Sequence, residues 1–354
     1  MKNIKRPVLV IILGICWSLS CVTLFPNSAR DASAPAETNQ TAPPAGVPET
    51  AAPVNTNLTG QIVYTKGDDI YTINANGTNE TRLATGTLPT WSPDGGKILF
   101  LVDPEADDIY EIHTMHADGT NDTRLAIGNW PVWSSDGNTI AFLADPEGDF
   151  DNDIFLINAD GTNLRPLISN QNEYSDPRDL KWQPNGSLIV FVALSRKDRD
   201  VGYDVFIADV NSASLKQVPR QRADVWDTAW SPDGSQIIFV SSEDPNDTGT
   251  LYTVHADGTG EQKVAHIGTC WRPTFSPDAQ WISCVANGIR LMNADGSDQR
   301  SVLDKKTWSF HTWSPDGKYI LVTVKEEEIT RLYIVSLDGT VTYLTEGGNG
   351  DWKP

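Results

Sequence analysis

Six side chains stand two to four residues ahead of an aromatic that begins a Ser-Pro-Asp-Gly-like turn: Arg178, Trp226, Asp227, Trp271, Arg272 and His311. Aromatic faces beside arginine forks suit stacking on sugars and gripping carboxylates or peptide backbones. The competing use is structural, with tryptophans packed between sheets and Arg and Asp paired across a channel. A second candidate is the run Asp145, Glu147, Asp149, Asp151 and Asp153, whose alternating carboxylates could hold Ca²⁺ together with backbone oxygens. It has no Gly at the sixth position of an EF-hand loop and no Glu at the twelfth, and a solvated hairpin tip explains it equally.

Catalytic chemistry finds little to work with. The sequence has no GxSxG, HExxH or phosphate-binding glycine loop. Of the five histidines, His113, His116, His255 and His266 fall near strand ends away from the six residues above, and only His311 joins them. No catalytic residues, no resident metal and no cofactor are expected. Cys270 and Cys284 flank Phe275-Ser-Pro-Asp-Ala279 at nearly equal separation, so a hairpin there brings them face to face. Either a disulfide, in an oxidising compartment, or two buried thiols satisfies that placement.

These residues are positioned by a repeat. Trp91-Ser-Pro-Asp-Gly95 returns as Trp133-Ser-Ser-Asp-Gly137, Trp182-Gln-Pro-Asn-Gly186, Trp230-Ser-Pro-Asp-Gly234, Phe275-Ser-Pro-Asp-Ala279 and Trp313-Ser-Pro-Asp-Gly317, with Trp352-Lys353-Pro354 as a truncated last copy. A period of roughly forty residues with one aromatic and one tight turn per unit is the signature of stacked four-stranded blades. Proline pre-sets φ, Asp bonds to nearby backbone and Gly accepts a positive φ, so the repeated aspartates are turn formers before they are ligands. Between the turns run apolar strands such as Lys97-Ile-Leu-Phe-Leu-Val102, suited to burial on both faces. Apolar strands begin near Gln61, Lys97, Thr139, Ser187, Gln236, Trp281 and Lys318, which makes seven. The first unit lacks a preceding aromatic strand and the last aromatic strand lacks a following unit. The expected fold is therefore all-β: a seven-bladed β-propeller over residues 60–354, closed by pairing of the C-terminal strand into the N-terminal blade. The six candidate residues then face the mouth of its central funnel, on the side of the acidic loops between second and third strands.

Ahead of the propeller, Lys2, Lys5 and Arg6 precede the apolar run from Pro7 to Cys21, an export signal over residues 1–21. Leu19-Ser20-Cys21 resembles the end of a bacterial lipobox, with Cys21 as the lipidated residue, although Ser18 stands where an aliphatic residue is usual. An uncleaved signal anchor and free secretion are the alternatives. All three place the body outside the cytoplasm, and the first two anchor it to the membrane or envelope on the periplasmic or cell-surface side. Residues 22–59 are rich in Ala, Pro and Thr and read as a disordered tether of roughly 35 Å reach. The formal net charge of −20 repels phosphate backbones, so nucleic acid is excluded as a partner.

The recurring xWSPDGxxIxF followed by IYxxxxDGTxxxRL, over about residues 60–354, resembles the TolB-type, WD-repeat-like propeller family of exported bacterial proteins. The resemblance implies the propeller fold and is permissive about function. TolB carries an α/β domain ahead of its propeller, in place of which this chain has the short tether. Oligogalacturonate lyases have related propellers that use several histidines on a divalent metal, and one funnel histidine is too few for that. The expectation is an exported, membrane-tethered, non-catalytic binding module for an envelope protein or glycan. The alternative is an extracytoplasmic polysaccharide lyase or hydrolase working in the funnel.

Overall fold

In a computed structural model, the described residues are 58–354 apart from 107–108, 147, 149–151, 168–173, 197–201, 219–223, 243–248, 269 and 306–309. The export signal with Cys21, and the tether up to residue 57, lie outside them. The described chain forms seven four-stranded antiparallel sheets arranged as blades of a propeller. Each sheet runs from an inner strand, which carries the repeat aromatic, through a second and third strand to an outer one.

Blade 1 is made from both ends of the propeller. The inner strand Gly348–Trp352 pairs with Gln61–Lys66, setting Ile62 opposite Trp352 and Val63 opposite Asp351. The N–H of Lys353 also donates to Gln61 O at 2.8 Å. The other inner strands are Thr87–Trp91, Asn129–Trp133, Tyr174–Trp182, Val225–Trp230, Trp271–Phe275 and His311–Trp313, for blades 2 to 7.

Second strands such as Lys97–Val102, Thr139–Ala144 and Gln236–Ser241 are buried on four or more consecutive residues. Only a strand covered on both faces shows that pattern. The core is accordingly divided into seven apolar clusters, one in each gap between neighbouring blades. Leu99 and Leu101 meet Ile140 and Phe142 between blades 2 and 3, and Ile62 and Tyr64 meet Leu321 and Leu332 between blades 1 and 7. A blade buries its faces only through its neighbours, so closing the ring is a condition for burial everywhere.

The repeated turn works as a small hydrogen-bonded unit. Ser92 Oγ donates to Asp94 Oδ1 at 2.6 Å, the same oxygen accepts the Gly96 N–H at 2.9 Å, and Ser92 Oγ accepts the Lys97 N–H at 2.8 Å. Ser134 with Asp136, Ser231 with Asp233, Ser276 with Asp278 and Ser314 with Asp316 repeat it. A second set of aspartates, 118, 160, 257, 295 and 338, caps the turn between third and outer strands.

A feature the sequence pattern does not announce is a β-bulge in the inner strand. In blade 2, Leu88 and Pro89 together face Phe100, between the pairs Thr87 with Leu101 and Thr90 with Leu99. Trp130–Pro131, Asp179–Leu180, Trp226–Asp227, Arg272–Pro273 and Asn349–Gly350 occupy the equivalent bulges of blades 3, 4, 5, 6 and 1. In five of these the residue three before the aromatic is left-handed: Leu88, Trp130, Asp179, Arg272 and Asn349, with φ between 51° and 56°. Such a bulge breaks the alternation of a strand and re-aims a side chain. The bulge recurs in six of the seven blades.

Beneath the bulge, blades 1, 2 and 3 place an aromatic ring, Tyr64, Phe100 or Phe142, against a glycine five residues before the repeat aromatic. A Cβ on Gly86, Gly128 or Gly347 would come within 2.6–2.8 Å of that ring and of a carbonyl oxygen. In blade 6 the same two places hold Cys270 and Cys284, which are joined as a disulfide with Cα atoms 5.6 Å apart. A covalent link there replaces the packed ring.

Candidate functional site

The inner strands of blades 4, 5, 6 and 7 bring most of the candidate residues into one arc. Asp227 Oδ2 accepts the backbone N–H of Arg272 at 3.1 Å, linking blade 5 to blade 6. The guanidinium of Arg272 lies 4.1 Å from the centroid of the Phe310 ring in blade 7, a cation–π contact. Trp226 and Trp271, the residues just before Asp227 and Arg272, approach with ring centroids 5.1 Å apart. Trp226 is half-buried and packs on the core between blades 5 and 6, whereas Trp271 remains exposed. One ring of the pair thus packs on the core and the other lies at the surface.

His311 sits deeper. Its Nε2 is 3.0 Å from Ser283 Oγ and 3.4 Å from Thr274 Oγ1, the two hydroxyls are themselves 3.0 Å apart, and Trp313 Nε1 donates to Thr274 Oγ1 at 3.1 Å. Burial, followed by the positive charge of Arg272, pushes the imidazole down to about 4, so it is neutral at pH 7. A serine beside a neutral histidine has the outline of a nucleophile and base. Ser283, however, is fully buried, and His311 Nδ1 is buried with no hydrogen-bond partner to orient the ring.

One side chain that sequence reasoning passed over completes the arc. Asp179, three residues before Trp182, accepts Lys181 Nζ at 2.8 Å, and its other oxygen accepts the N–H and hydroxyl of Thr228 at 2.6 and 2.8 Å. Asp179 therefore straps blade 4 to blade 5 as Asp227 straps blade 5 to blade 6. Burial and the charge of Asp179 raise the proton affinity of the Asp227 carboxyl, opposed by the Arg272 N–H and the charges of Arg272 and Lys181. The signal that could have found Asp179 is its place, since it matches Arg272 when the repeats are aligned on their aromatics.

Arg178, the residue before Asp179, stacks on a tyrosine of its own blade. Its strand has a second irregularity, between Ser175 and Arg178, with Asp176 at φ 49°. Its guanidinium stacks 3.3 Å from the centroid of Tyr203, whose hydroxyl donates to Asp176.

The calcium candidate is only partly described. Asp145 accepts the Gly148 N–H at 2.7 Å, which is turn chemistry, and Asp153 is buried at the start of a third strand. Glu147, Asp149 and Asp151 lie outside the described residues. Among the described residues no three His, Cys, Asp or Glu side chains are grouped so as to hold a metal.

Residues 179–354 match the family model described as the TolB β-propeller domain. No curated protein matches the chain in sequence. Similar solved structures include TolB from Acinetobacter baumannii, at 16% identity and TM-score 0.55, covering 82% of this chain and 81% of that one. An oligogalacturonate lyase in complex with manganese aligns at 14% identity and TM-score 0.62, covering 76% and 82%. The β-propeller domain of the Trilobed protease from Pyrococcus furiosus, described as having an open velcro topology, aligns at 13% identity and TM-score 0.59, covering 82% and 98%. At these identities the likeness is one of fold. The family match and the seven closed blades together show that the propeller of this chain belongs to the TolB β-propeller family.

Proposed function

We propose that this protein is an exported, membrane-tethered binding module that recognises an envelope protein or glycan on its loop face, without catalysing a reaction. The observation that carries the reading is the arc from Asp179 through Asp227 and Arg272 to Phe310. Inner strands there, bulged in blades 4, 5 and 6, bring charged and aromatic side chains of four adjacent blades together, with Trp271 exposed beside them. Preorganised aromatic and arginine contacts of this kind cost little ordering on binding. The basic, apolar N-terminus and the Ala/Pro/Thr segment after it support export and tethering, with Cys21 as the lipid-bearing residue. Crosslinking in intact cells tests it: recovery of a specific partner with the wild type should fall at least tenfold with Trp271→Ala/Arg272→Ala. Equal recovery of every partner removes the arc as the contact site.

The enzymatic alternative, a polysaccharide lyase or hydrolase, rests on one feature: Asp227 and His311 are shifted in opposite directions beside the same arginine, as in acid–base pairs. A screen against polysaccharides with and without Mn²⁺ or Ca²⁺ decides it, and no turnover under any condition retires it.

A further inference from the structure

One place in each second strand is fixed by register, two residues after the partner of the repeat aromatic. Trp91 pairs with Ile98, which puts Phe100 there in blade 2, and blades 3, 4 and 5 have Phe142, Phe191 and Phe239. Blades 6 and 7 have Cys284 and Val322. Blade 1, the sheet assembled from both ends of the propeller, has Tyr64, which is fully buried. A tyrosine in that place sets a hydroxyl among apolar groups, and burying it is unfavourable unless it is bonded.

The bond it makes reaches a carboxylate. The Tyr64 hydroxyl donates to Glu80 Oε1, in the turn between the third strand Asp69–Asn74 and the outer strand Thr81–Thr85 of blade 1. The same oxygen accepts Thr345 Oγ1 at 2.9 Å, and Lys66 Nζ lies 3.2 Å from both carboxylate oxygens. Thr345 belongs to Val341–Glu346, the outer strand of blade 7, and is buried. It too departs from the repeat, because it stands two residues before Gly347 where blades 1 and 2 have Ala84 and Ala126 before Gly86 and Gly128. Asp122 takes the place of Glu80 in blade 2 and lies 2.7 Å from His113 Nδ1, inside its own blade. Glu80 instead bonds across to the neighbouring blade.

This contact sits at the root of the strand that closes the ring. Gly347 carries the chain from blade 7 into Gly348–Trp352, and a Cβ on it would come within 2.6 Å of the Tyr64 ring and of Thr65 O. The Gly347 N–H donates to Thr330 O at 2.8 Å. The tip of the closing strand is held by backbone pairing with Gln61 and Ile62, and its root by these side chains. Burial works against the Glu80 charge, but the bonds from Tyr64, Thr345 and Lys66 outweigh it and hold the carboxyl below its ordinary value.

We propose that Tyr64, Glu80 and Thr345 form a clasp that fastens blade 7 to blade 1 and keeps the C-terminal strand seated, so that the propeller does not open at its seam. Terminal strands are where folded proteins open locally, at a lower free energy than global unfolding. The clasp acts on ring closure and does not depend on what the arc of blades 4 to 7 binds.

Hydrogen exchange of the full chain at neutral pH, followed by mass spectrometry, reads seam opening from peptides spanning Gly348–Trp352 and Gln61–Lys66. Tyr64→Phe copies blades 2 to 5 and Thr345→Ala copies blades 1 and 2. These two variants and Glu80→Gln should each speed exchange at the seam at least tenfold, while peptides from blades 3 to 5 keep wild-type rates. Because the groups act together, Tyr64→Phe/Glu80→Gln should exchange no more than about twofold faster than the faster of its single parents. Asp122→Asn, at the matching place in blade 2, should leave the seam as in the wild type. Circular dichroism checks that the variants fold, which is expected since phenylalanine and alanine already stand at these places in other blades. Seam protection unchanged in both Tyr64→Phe and Glu80→Gln overturns the proposal, as does equal loosening by Asp122→Asn. Exchange that rises equally in all blades would also overturn it, making the contact a general contribution to stability, and fully additive losses would show that the groups act separately.

Discussion

The backbone N–H of Trp91 donates a 2.8 Å hydrogen bond to Asp351 Oδ2, joining the first aromatic of the repeat to the residue before the last one. The bond spans the seam between blade 1, closed by the C-terminal strand, and blade 2. Together with the straps from Asp179 and Asp227 it shows one device used three times: a carboxylate on one inner strand accepts backbone N–H groups from the next.

Its enclosure makes Asp351 a pH-sensitive element of stability. Burial pushes its carboxyl up to about 6, against the Trp91 and Trp352 N–H groups that favour the charged form. An unfolded aspartate titrates near 3.9, so the folded state takes up the proton first, and this group stabilises the fold increasingly as pH falls from 6 to 4. His311 runs the other way, because its folded value of about 4 lies below the unfolded 6.5, and stability is lost as pH falls through that interval. The two slopes oppose each other in the wild type. Asp351→Asn, which can still accept the Trp91 N–H, should therefore lose stability on acidification from pH 6.5 to 4.5, and His311→Gln should gain it. Each change should reach about 1–2 kcal/mol after allowance for partial solvent access. Chemical denaturation at a series of pH values measures both, and parallel curves for the two variants would contradict the assignment.

The Cys270–Cys284 bond stands where blades 1 to 3 pack an aromatic ring against a glycine. Removing it as Cys270→Ser/Cys284→Ser should lower stability by about 3 kcal/mol, the closure entropy of a loop of this length. Cys270→Gly/Cys284→Phe rebuilds the arrangement of blade 3 and should recover much of that loss. If the rebuilt variant is no more stable than the double serine, the two devices are not interchangeable.

Gly128 offers the complementary case. A Cβ there would lie 2.6 Å from both Leu143 O and Phe142 Cδ2, and the carbonyl belongs to a paired strand that cannot shift cheaply. Gly128→Ala should cost about 1–3 kcal/mol by overpacking. Combining it with Phe142→Leu should be less damaging than the sum of the two single changes, because the shorter side chain makes room for the methyl group. Thermal unfolding of the four proteins gives the coupling directly.

The repeat made the blades, the turn aspartates and the ring closure at Trp352 readable, because each depends on local chemistry that recurs in fixed register. The bulge was not readable in the same way. Alternation reports which face a residue shares with its neighbours, and an inserted residue breaks that relation without changing composition. Its trace is the proline in Leu88-Pro89, Trp130-Pro131 and Arg272-Pro273, each placed just after the left-handed residue. For the same reason Asp179 passed for an ordinary strand residue, and the stacking of Arg178, one position earlier, on Tyr203 was not foreseen. Asp227, Trp271 and Arg272 were legible as candidates because their residue types stand out at a fixed distance from an aromatic. The link between Cys270 and Cys284 needed the hairpin register to decide between bond and thiols.

The turn aspartates set the acid limit of the fold. At Asp94, Asp136, Asp233 and Asp278 a serine hydroxyl is the largest influence and backbone N–H groups the next, and both hold the carboxyl below its ordinary value. At Asp118, Asp160, Asp257 and Asp295 a threonine or serine does the same between third and outer strands. A depressed folded value means that stabilisation is complete above the unfolded 3.9 and disappears as pH falls through the lower folded value. Each contribution is small and exposed to solvent, but the blades share their cores, so the losses accumulate in a single unit. Acid unfolding should therefore be cooperative and begin below about pH 4. Asp→Asn at Asp94, Asp136, Asp233 and Asp278 together keeps the acceptor oxygen but removes the charge, and should reduce stability at pH 7, flatten its pH dependence and shift the acid midpoint higher. A midpoint unchanged in that variant, followed by circular dichroism, would place the acid sensitivity elsewhere.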